Sequence, residues 1–328
     1  MTSRQYRFRA RPRDLKTHAS IACDDPTGAN IEIDVRAGRV LRVRPRENLD
    51  VNDVWITDRT RFDTMPVERA LRLGTPLVRD AAGALVPATW AEAVAKAGAL
   101  AKRGRTGYVC APTVTNEAMA VMAKIGCEDA WAAPGPSSWP CTGSLASIAK
   151  SKSIVVVGLD LWTEFPMLAL WVHRAVAPTA SGPGGASLVV INDENGPPTG
   201  GMARDTKKFV RAQKSELKQR IADLVADLEK GTGAAIDLKQ RPSTLLFSEQ
   251  LAADPEARPL LEKLATLLEC RTASGERTES AGLVGAPSKF VNGRGAGEIL
   301  QGAAPQGPDT LVVVGADADL DTGRARVV

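Results

Sequence analysis

With 328 residues, the chain is long enough for a sizeable core and for two lobes, and its 44% apolar share is ordinary for a globular protein. The net charge of +4 is too small to indicate a nucleic-acid partner by itself. No apolar run approaches the roughly 20 residues needed to span a bilayer. The N-terminus lacks the apolar region of a secretory signal, so we expect a cytoplasmic protein.

The chain begins with a basic arm, residues 1–16, for which we predict an extended, irregular conformation. Its cations are Arg4, Arg7, Arg9, Arg11, Arg13 and Lys16. Two interpretations stay open, a solvated surface arm and a segment that docks on an acidic protein surface. RNA binding is less favoured, because only Tyr6 and Phe8 could stack on bases and no known RNA module follows.

The remaining pattern predicts a hairpin followed by alternating helices and strands. Residues 31–43 alternate apolar and polar side chains around a turn at Ala37-Gly38. Thr89 and Glu92 are spaced as a capping box at the start of a helix. Further strands are predicted at 107–111, 153–158, 187–191, 243–247 and 310–315. Further helices are predicted at 116–125, 167–177, 215–230 and 258–269. This alternation predicts parallel α/β lobes wound right-handedly.

Several runs resemble the molybdopterin-like part of the large peripheral subunit of respiratory complex I, an NADH-quinone oxidoreductase. They are YRFRARPRDL, GRVLRVRPRENLDVNDVWITDRTRF, RLGTPLVRDAAGALVPATWAEAV and KSIVVVGLDLWTEFPMLALWVHRA. The resemblance implies an α/β fold in which a small β-hairpin region of the iron–sulfur type, residues 17–62, follows the arm. Residues 63–328 are expected to form parallel α/β lobes of the molybdopterin-oxidoreductase type, with about 105–240 as a candidate separate lobe. The terminal β-barrel of full family members is expected to be absent.

In the family, four cysteines of this hairpin region hold an iron–sulfur cluster, spaced C-x2-C-x3-C with a fourth about 27 residues later. Alignment on the flanking residues places Ala22, Asp25, Ala29 and Thr57 at the four ligand positions, called the cluster positions below. An alanine methyl cannot bind iron. Sliding the register to use Cys23 puts Pro26 and Asn30 at the next two positions, which is no better. We therefore expect neither a metal nor a cofactor.

Two weaker candidates for cofactor chemistry lie further along. Active relatives present a metal ligand from a loop at the lobe junction, and Cys141, in PSSWPCTGS, is a low-probability molybdenum ligand because the expected neighbouring histidine is missing. The glycines of NGRGAG, residues 292–297, could cradle a phosphate only if a strand preceded them, so a flexible loop is the favoured interpretation.

The resemblance leads to a structural hypothesis. The chain is expected to be a cofactor-free subunit in the hydrophilic arm of an NADH:quinone oxidoreductase or related complex, with no catalysis of its own. Its partners would be other subunits, especially an iron–sulfur subunit, and no nucleic acid. The docking residues would be Arg7, Arg9, Arg11 and Arg13. Such a chain would be cytoplasmic, held at the inner membrane through its complex. The alternatives are a minimal molybdopterin-dependent oxidoreductase of the formate dehydrogenase type and a degenerate scaffold in a formyl-transferring complex.

Overall fold

The computed structural model describes twelve parts of the chain. They are residues 6–62, 73–111, 114–126, 130–132, 144–177, 184–193, 208–233, 238, 240–270, 284–285, 310–314 and 326–327. Two compact units divide the chain. The first comprises Met1–Phe62 and Ser137–Val291, and the second comprises Asp63–Pro136 and Asn292–Val328.

Strands and helices alternate along most of the chain. The strands are β1 (Lys16–Ile21), β2 (Asn30–Arg36), β3 (Arg39–Pro45), β4 (Leu77–Arg79), β5 (Leu85–Pro87), β6 (Thr106–Cys110), β7 (Ala130–Ala132), β8 (Ser153–Val157), β9 (Ser187–Asn192), β10 (Lys208–Arg211), β11 (Ser243–Phe247), β12 (Val284–Gly285), β13 (Thr310–Val314) and β14 (Arg326–Val327). The helices are α1 (Asp58–Phe62), α2 (Trp90–Ala101), α3 (Asn116–Gly126), α4 (Leu145–Ile148), α5 (Leu161–Glu164), α6 (Pro166–Val176), α7 (Leu217–Lys230), α8 (Glu249–Ala253) and α9 (Ala257–Leu267). A short 3-10 helix covers Pro12–Asp14.

The first unit begins with an antiparallel sheet of order β1-β2-β3, called the N-terminal sheet below. The predicted hairpin is confirmed as β2 and β3. Its turn residues Ala37 and Gly38 have φ of 49° and 76°, left-handed values that glycine adopts without strain. Strand β1 was not predicted as a separate element, because the side chains of KTHASI are largely exposed and show no apolar alternation.

A five-stranded parallel sheet of order β10-β9-β8-β11-β12 forms the centre of the first unit. Every residue of β8 and β11 is buried, as expected for parallel strands covered on both faces. Val155, Val157 and their neighbours pack on one face against α7, α8 and α9. Ile154 and Val156 pack on the other face against α4, α5 and α6. The sheet is therefore the middle layer of a three-layer α/β sandwich.

The second unit contains a parallel sheet of order β14-β13-β6-β7 and an antiparallel pair of β4 with β5. Cys110, Met119 and Met122 form its buried apolar cluster. The predicted capping box is confirmed, because the Thr89 hydroxyl accepts from the Glu92 backbone N–H while the Glu92 carboxylate accepts from that of Thr89.

The α/β class, the parallel sheets and the small antiparallel sheet of the N-terminal region are confirmed. The molybdopterin type of the lobes and the predicted domain boundaries stay predictions. Most of the predicted loops at 132–140, 179–185 and 195–201 lies outside the described residues. Among the helices that the structure describes, none has the length and apolar character required to cross a membrane.

Candidate functional site

Ala22 and Ala29, the first and third cluster positions, face each other where β1 and β2 meet. The Ala22 N–H donates to the Ala29 carbonyl over 2.8 Å, which extends the strand pairing by one step. Both residues are at most 1% exposed and belong to an apolar cluster with Ile31, Ile56 and Met167 of α6. Their methyl groups are part of a packed core.

Asp25, the second position, is 1% exposed in the loop between those alanines. Its Oδ1 accepts from the Thr27 backbone N–H at 2.9 Å and from the Thr27 hydroxyl at 2.6 Å. Its Oδ2 is buried and has no hydrogen-bond partner in the described part of the chain. Burial raises the pKa of Asp25 despite the opposing hydrogen bonds from Thr27, and nearby Asp24 adds to the rise. The protonated carboxyl is thus favoured more than for an ordinary aspartate.

Thr57, the fourth position, caps α1. Its hydroxyl oxygen accepts from the Thr60 backbone N–H at 3.0 Å and lies 2.9 Å from the Thr60 hydroxyl. The Thr60 hydroxyl also lies 2.9 Å from Oδ1 of Asp24, to which it donates. This chain of contacts ties the fourth position to the loop that carries the other three. The structure therefore brings the four predicted positions into one region.

The residues at these positions do not fit an iron–sulfur cluster. Four thiolates normally hold such a cluster, whereas this region offers two methyl groups, a capping hydroxyl and one buried carboxyl. The adjacent Cys23 is an exposed free thiol. Within the residues described here, no group of three or more His, Cys, Asp and Glu is arranged to hold a metal ion. Cys141 and the NGRGAG segment lie outside the described residues.

Sequence reasoning missed a buried ionic group on the opposite face of the N-terminal sheet. The fully buried Asp34 carboxylate accepts from Arg42 at 2.5 Å, from Arg44 at 2.9 Å and from the Thr17 hydroxyl at 2.7 Å. Burial raises the pKa of Asp34, but hydrogen bonds from Arg44, Thr17 and Arg42 outweigh burial and hold this pKa below its usual value. A regular hairpin around Ala37-Gly38 would place Asp34 opposite Leu41, and the pairing of Asp34 with Arg42 results from a register shift between Asp34 and Val35.

The basic arm differs from the extended, irregular prediction. Residues 6–9 form a turn closed by the Arg9 N–H donating to the Tyr6 carbonyl at 3.0 Å, and Pro12–Asp14 is a 3-10 turn. Tyr6 is 7% exposed, with the Arg42 guanidinium 4.4 Å from its ring centroid. The four predicted docking arginines are all exposed: Arg7, Arg9, Arg11 and Arg13. Residues 6–16 of the arm are therefore seated on the N-terminal sheet.

The segment after β3 joins the N-terminal sheet to α6. Asn52 is fully buried, accepts from the Asn30 N–H at 2.9 Å and donates to the Trp55 carbonyl at 2.9 Å. The Trp171 indole N–H donates to the Val51 carbonyl at 2.7 Å, and Arg174 pairs with Asp53 at 3.0 Å. These contacts add to the core that Met167 shares with the cluster positions.

At the carboxyl end of β8, the central sheet is tightly packed. The chain leaves β8 for β9 on one side, and β11 lies on the other, so this is the switch point at which α/β sheets commonly bind ligands. Gly158 follows β8 with φ +65°, and a Cβ there would lie 3.1 Å from Leu251 and 3.3 Å from Leu217. Leucine side chains thus approach the backbone where a phosphate would need free amides.

Comparisons with known proteins identify a family for the N-terminal region and several relatives of the chain. Residues 15–64 match the family model described as NADH-ubiquinone oxidoreductase NDSU1/NuoG-like, 4Fe-4S domain. The NuoG-type subunit of the Streptomyces coelicolor NADH-quinone oxidoreductase is 42% identical over 119 residues, which is 36% of this chain and 14% of that protein. The chain is a NuoG-like protein.

Two further relatives show how far the likeness reaches. The NADH-ubiquinone oxidoreductase 78 kDa subunit of Candida albicans is 46% identical over 94 residues, 29% of this chain and 13% of that protein. The NuoG-type subunit of the Mycobacterium bovis NADH-quinone oxidoreductase is 27% identical over 316 residues, which is 84% of this chain. Even there, the NuoG-like chain spans 36% of the relative's length.

One solved structure resembles the NuoG-like chain in part. It is the formyltransferase/hydrolase complex of Methylorubrum extorquens bound to methylofuran, with 15% identity and a TM-score of 0.46. The match covers 72% of this chain and 76% of that one. At this TM-score the likeness carries no argument for fold or function.

Proposed function

We propose that the NuoG-like chain is a cofactor-free structural subunit in the hydrophilic arm of an NADH:quinone oxidoreductase or a related redox complex. Its role is assembly and the docking of cluster-bearing subunits, in particular an iron–sulfur subunit. One observation carries the proposal. The chain matches a four-iron cluster domain at residues 15–64, and from the motif spacing we assign Ala22, Asp25, Ala29 and Thr57 to its ligand positions.

Packing around those positions supports a domain that folds without metal. In a metal-dependent domain the ligand bonds supply folding free energy. Here Ala22 and Ala29 contribute to an apolar cluster with Met167, and Trp171 holds the Val51 carbonyl. Contacts with α6 therefore supply cohesion that a cluster would otherwise provide.

The basic surface supports the docking role. Between residues 6 and 46 the chain carries ten Lys and Arg side chains against five Asp and Glu. The ordered arm presents several of these cations to solvent. A surface of one sign steers association with a partner of the other sign and fixes its orientation more than it adds affinity.

Close packing at Gly158 supports the absence of a bound pterin or nucleotide in the central sheet. The oxidoreductase alternative depends on Cys141 and on the NGRGAG segment, and no described residue supports either. In the proposed setting the chain is cytoplasmic and meets the inner membrane only through its partners.

Metal analysis of the isolated complex tests the proposal. An affinity-tagged chain is purified anaerobically from its own host, and its companions are identified by mass spectrometry. We expect subunits of an NADH:quinone oxidoreductase. After dissociation of the companions, this chain should carry neither iron nor molybdenum. Stoichiometric iron or molybdenum retained by the separated chain, or companions outside any redox complex, would contradict the proposal.

A further inference from the structure

We infer that Phe8, carried by the turn of residues 6–9, is the anchor of a protein-docking surface. It fits an apolar pocket rimmed by carboxylates on a partner subunit. The inference rests on the proposed function and names the chemistry of the partner. The turn of residues 6–9 is called the Phe8 turn below.

The side chain of Phe8 is held away from the protein in an unusual backbone conformation. It is 96% exposed, which is the highest value among the exposed large apolar side chains of the described residues. Its φ is 62°, a left-handed value that a bulky residue rarely adopts. Strain of this kind persists only where surrounding contacts impose it, and it is often found at functional sites.

Those contacts are visible on both sides of Phe8. On one side, Tyr6 is buried beneath the Arg42 guanidinium, and its hydroxyl donates to the Ala10 carbonyl at 3.4 Å. On the other side, Arg36 donates from Nη1 to the Arg9 carbonyl at 3.0 Å. The Phe8 turn is thus fixed to both strands of the hairpin, and its backbone fixes the point at which the Phe8 side chain leaves the surface.

The charges around Phe8 define the rim of the pocket that it fits. Arg7 lies with its guanidinium 5.5 Å from the Phe8 ring centroid. Among the four exposed arginines of the arm, only Arg13 has a carboxylate of a described residue within 4.0 Å, at 3.8 Å from Asp14. Arg7, Arg9 and Arg11 are therefore available to carboxylates of a partner. Aromatic and arginine side chains are enriched among the residues that dominate protein interfaces.

A protein pocket suits this geometry better than a membrane or a nucleic acid. A lipid surface accepts an apolar side chain in any orientation, so it would not require a strained turn to fix the direction of one ring. Nucleic-acid stacking uses several exposed aromatic faces, but the Tyr6 face is covered by Arg42. An aromatic side chain on a fixed turn, surrounded by exposed arginines, instead matches a preformed apolar cavity with an acidic rim.

Photo-cross-linking from position 8 tests the inference in the intact complex. The phenylalanine analogue p-benzoylphenylalanine replaces Phe8 in the full chain, expressed in its own host, and the cross-linked peptide is sequenced by mass spectrometry. We expect one dominant protein cross-link, to a peptide with Asp or Glu beside apolar residues. Trp90, another aromatic side chain, is 76% exposed and supplies the control position in the second unit.

Substitutions then test the two components of the surface. With the cross-linked subunit purified, Phe8→Ala should raise the Kd at least about tenfold, as for an interface anchor. The double variant Arg9→Glu/Arg11→Glu should weaken binding further and abolish the cross-link, while Trp90→Ala leaves the Kd unchanged. Circular dichroism verifies that each variant is folded.

Three results would overturn the inference. They are a cross-link to lipid or nucleic acid, no cross-link above the position-90 control, and an unchanged Kd for folded Phe8→Ala. Each can occur while the chain still copurifies with NADH:quinone oxidoreductase subunits, so the proposed function would survive. Copurification with no such subunits would instead remove the proposed function.

Discussion

Asp25 is a buried carboxyl at the predicted second cluster position, and the protein surrounds it with little that favours a charge. One oxygen is hydrogen-bonded by Thr27, while the other is buried and unpartnered among the described residues. A buried polar atom without a partner costs about 1–3 kcal/mol. Such a residue is a local weakness, and its pH dependence follows from the raised pKa.

Asp25→Asn should stabilise the protein at neutral pH. Because the folded-state pKa is raised, ionisation costs stability as pH rises above the unfolded-state value, and this cost is absent in acid. The amide keeps an acceptor for the Thr27 N–H and cannot ionise. We expect a gain of about 1–2 kcal/mol at pH 8 that vanishes near pH 3. Urea denaturation across this pH range measures it.

Asp24→Asn is the matched control for that experiment. The Asp24 carboxylate accepts from the Thr60 hydroxyl through Oδ1, and its Oδ2 lies 3.9 Å from Nε of Arg59. Both oxygens of Asp24 therefore have a polar partner, whereas Oδ2 of Asp25 has none among the described residues. Its amide variant should be neutral or slightly destabilising. Equal gains from both variants would show that general charge reduction, rather than burial of Asp25, sets the effect.

Asp34→Asn should destabilise the protein at neutral pH, in contrast to Asp25→Asn. Asp34 has a lowered pKa, so its contribution is present above the unfolded-state pKa and is lost as pH falls through the folded-state value. Removing the charge leaves Arg42 and Arg44 without their shared partner. Because both arginines are partly exposed, we expect a loss of about 2 kcal/mol at pH 7. The midpoint of urea unfolding reports it, and an unchanged midpoint would contradict the ionic role.

Individual residues were only partly predictable from sequence. Motif spacing assigns Ala22, Asp25, Ala29 and Thr57 to the ligand positions, and this assignment stays a prediction. The orphaned oxygen of Asp25 could not be foreseen, because it depends on how the loop folds. The left-handed φ of Phe8 is likewise set by contacts with distant strands.

At the scale of elements, the N-terminal sheet and the start of α1 hold the four predicted cluster positions in one region. Restoring all four cysteines, as Ala22→Cys, Asp25→Cys, Ala29→Cys and Thr57→Cys, should recover cluster binding. We expect about four iron per chain after anaerobic reconstitution, with none bound by the unaltered chain. A three-cysteine variant that keeps Thr57 is the control. Equal iron in the unaltered and four-cysteine chains would contradict this expectation.

Trp171 and Trp162 provide a matched test of the contact between the 46–57 segment and α6. Trp171→Phe removes the indole N–H that the Val51 carbonyl accepts. Trp162→Phe removes an indole N–H that is buried without a partner in the described structure. We expect Trp171→Phe to cost about 1 kcal/mol more than Trp162→Phe. Chemical denaturation gives this difference, and faster hydrogen exchange at residues 46–57 should accompany Trp171→Phe alone.

The longer helices and the buried parallel strands were predictable, because strands such as β8 and β11 are continuous apolar runs. The Thr89 capping box was predictable for a local reason, since the four residues from Thr89 to Glu92 suffice to form it. Strand β1 was not predicted as a separate element, because its pairing with β2 rather than its own side chains makes it a strand.

At the scale of the molecule, the first unit is assembled from two stretches of chain that are distant in sequence. Deleting residues 1–62 should expose Met167, Leu170 and Trp171 on α6. Each apolar side chain newly exposed costs about 1.5–3 kcal/mol. We expect a lower melting temperature and aggregation of the shortened chain. A melting temperature equal to that of the full chain would show that α6 does not depend on the N-terminal sheet.

The 120-residue separation of Val51 and Trp171 has a consequence for synthesis on the ribosome. At about 5–20 residues per second, the N-terminal sheet emerges about 6–24 s before α6 follows. During that interval the nascent sheet exposes Ile31 and Val43, the side chains that Met167 will later cover. The apolar face of the N-terminal sheet therefore stays uncovered until α6 has been synthesised.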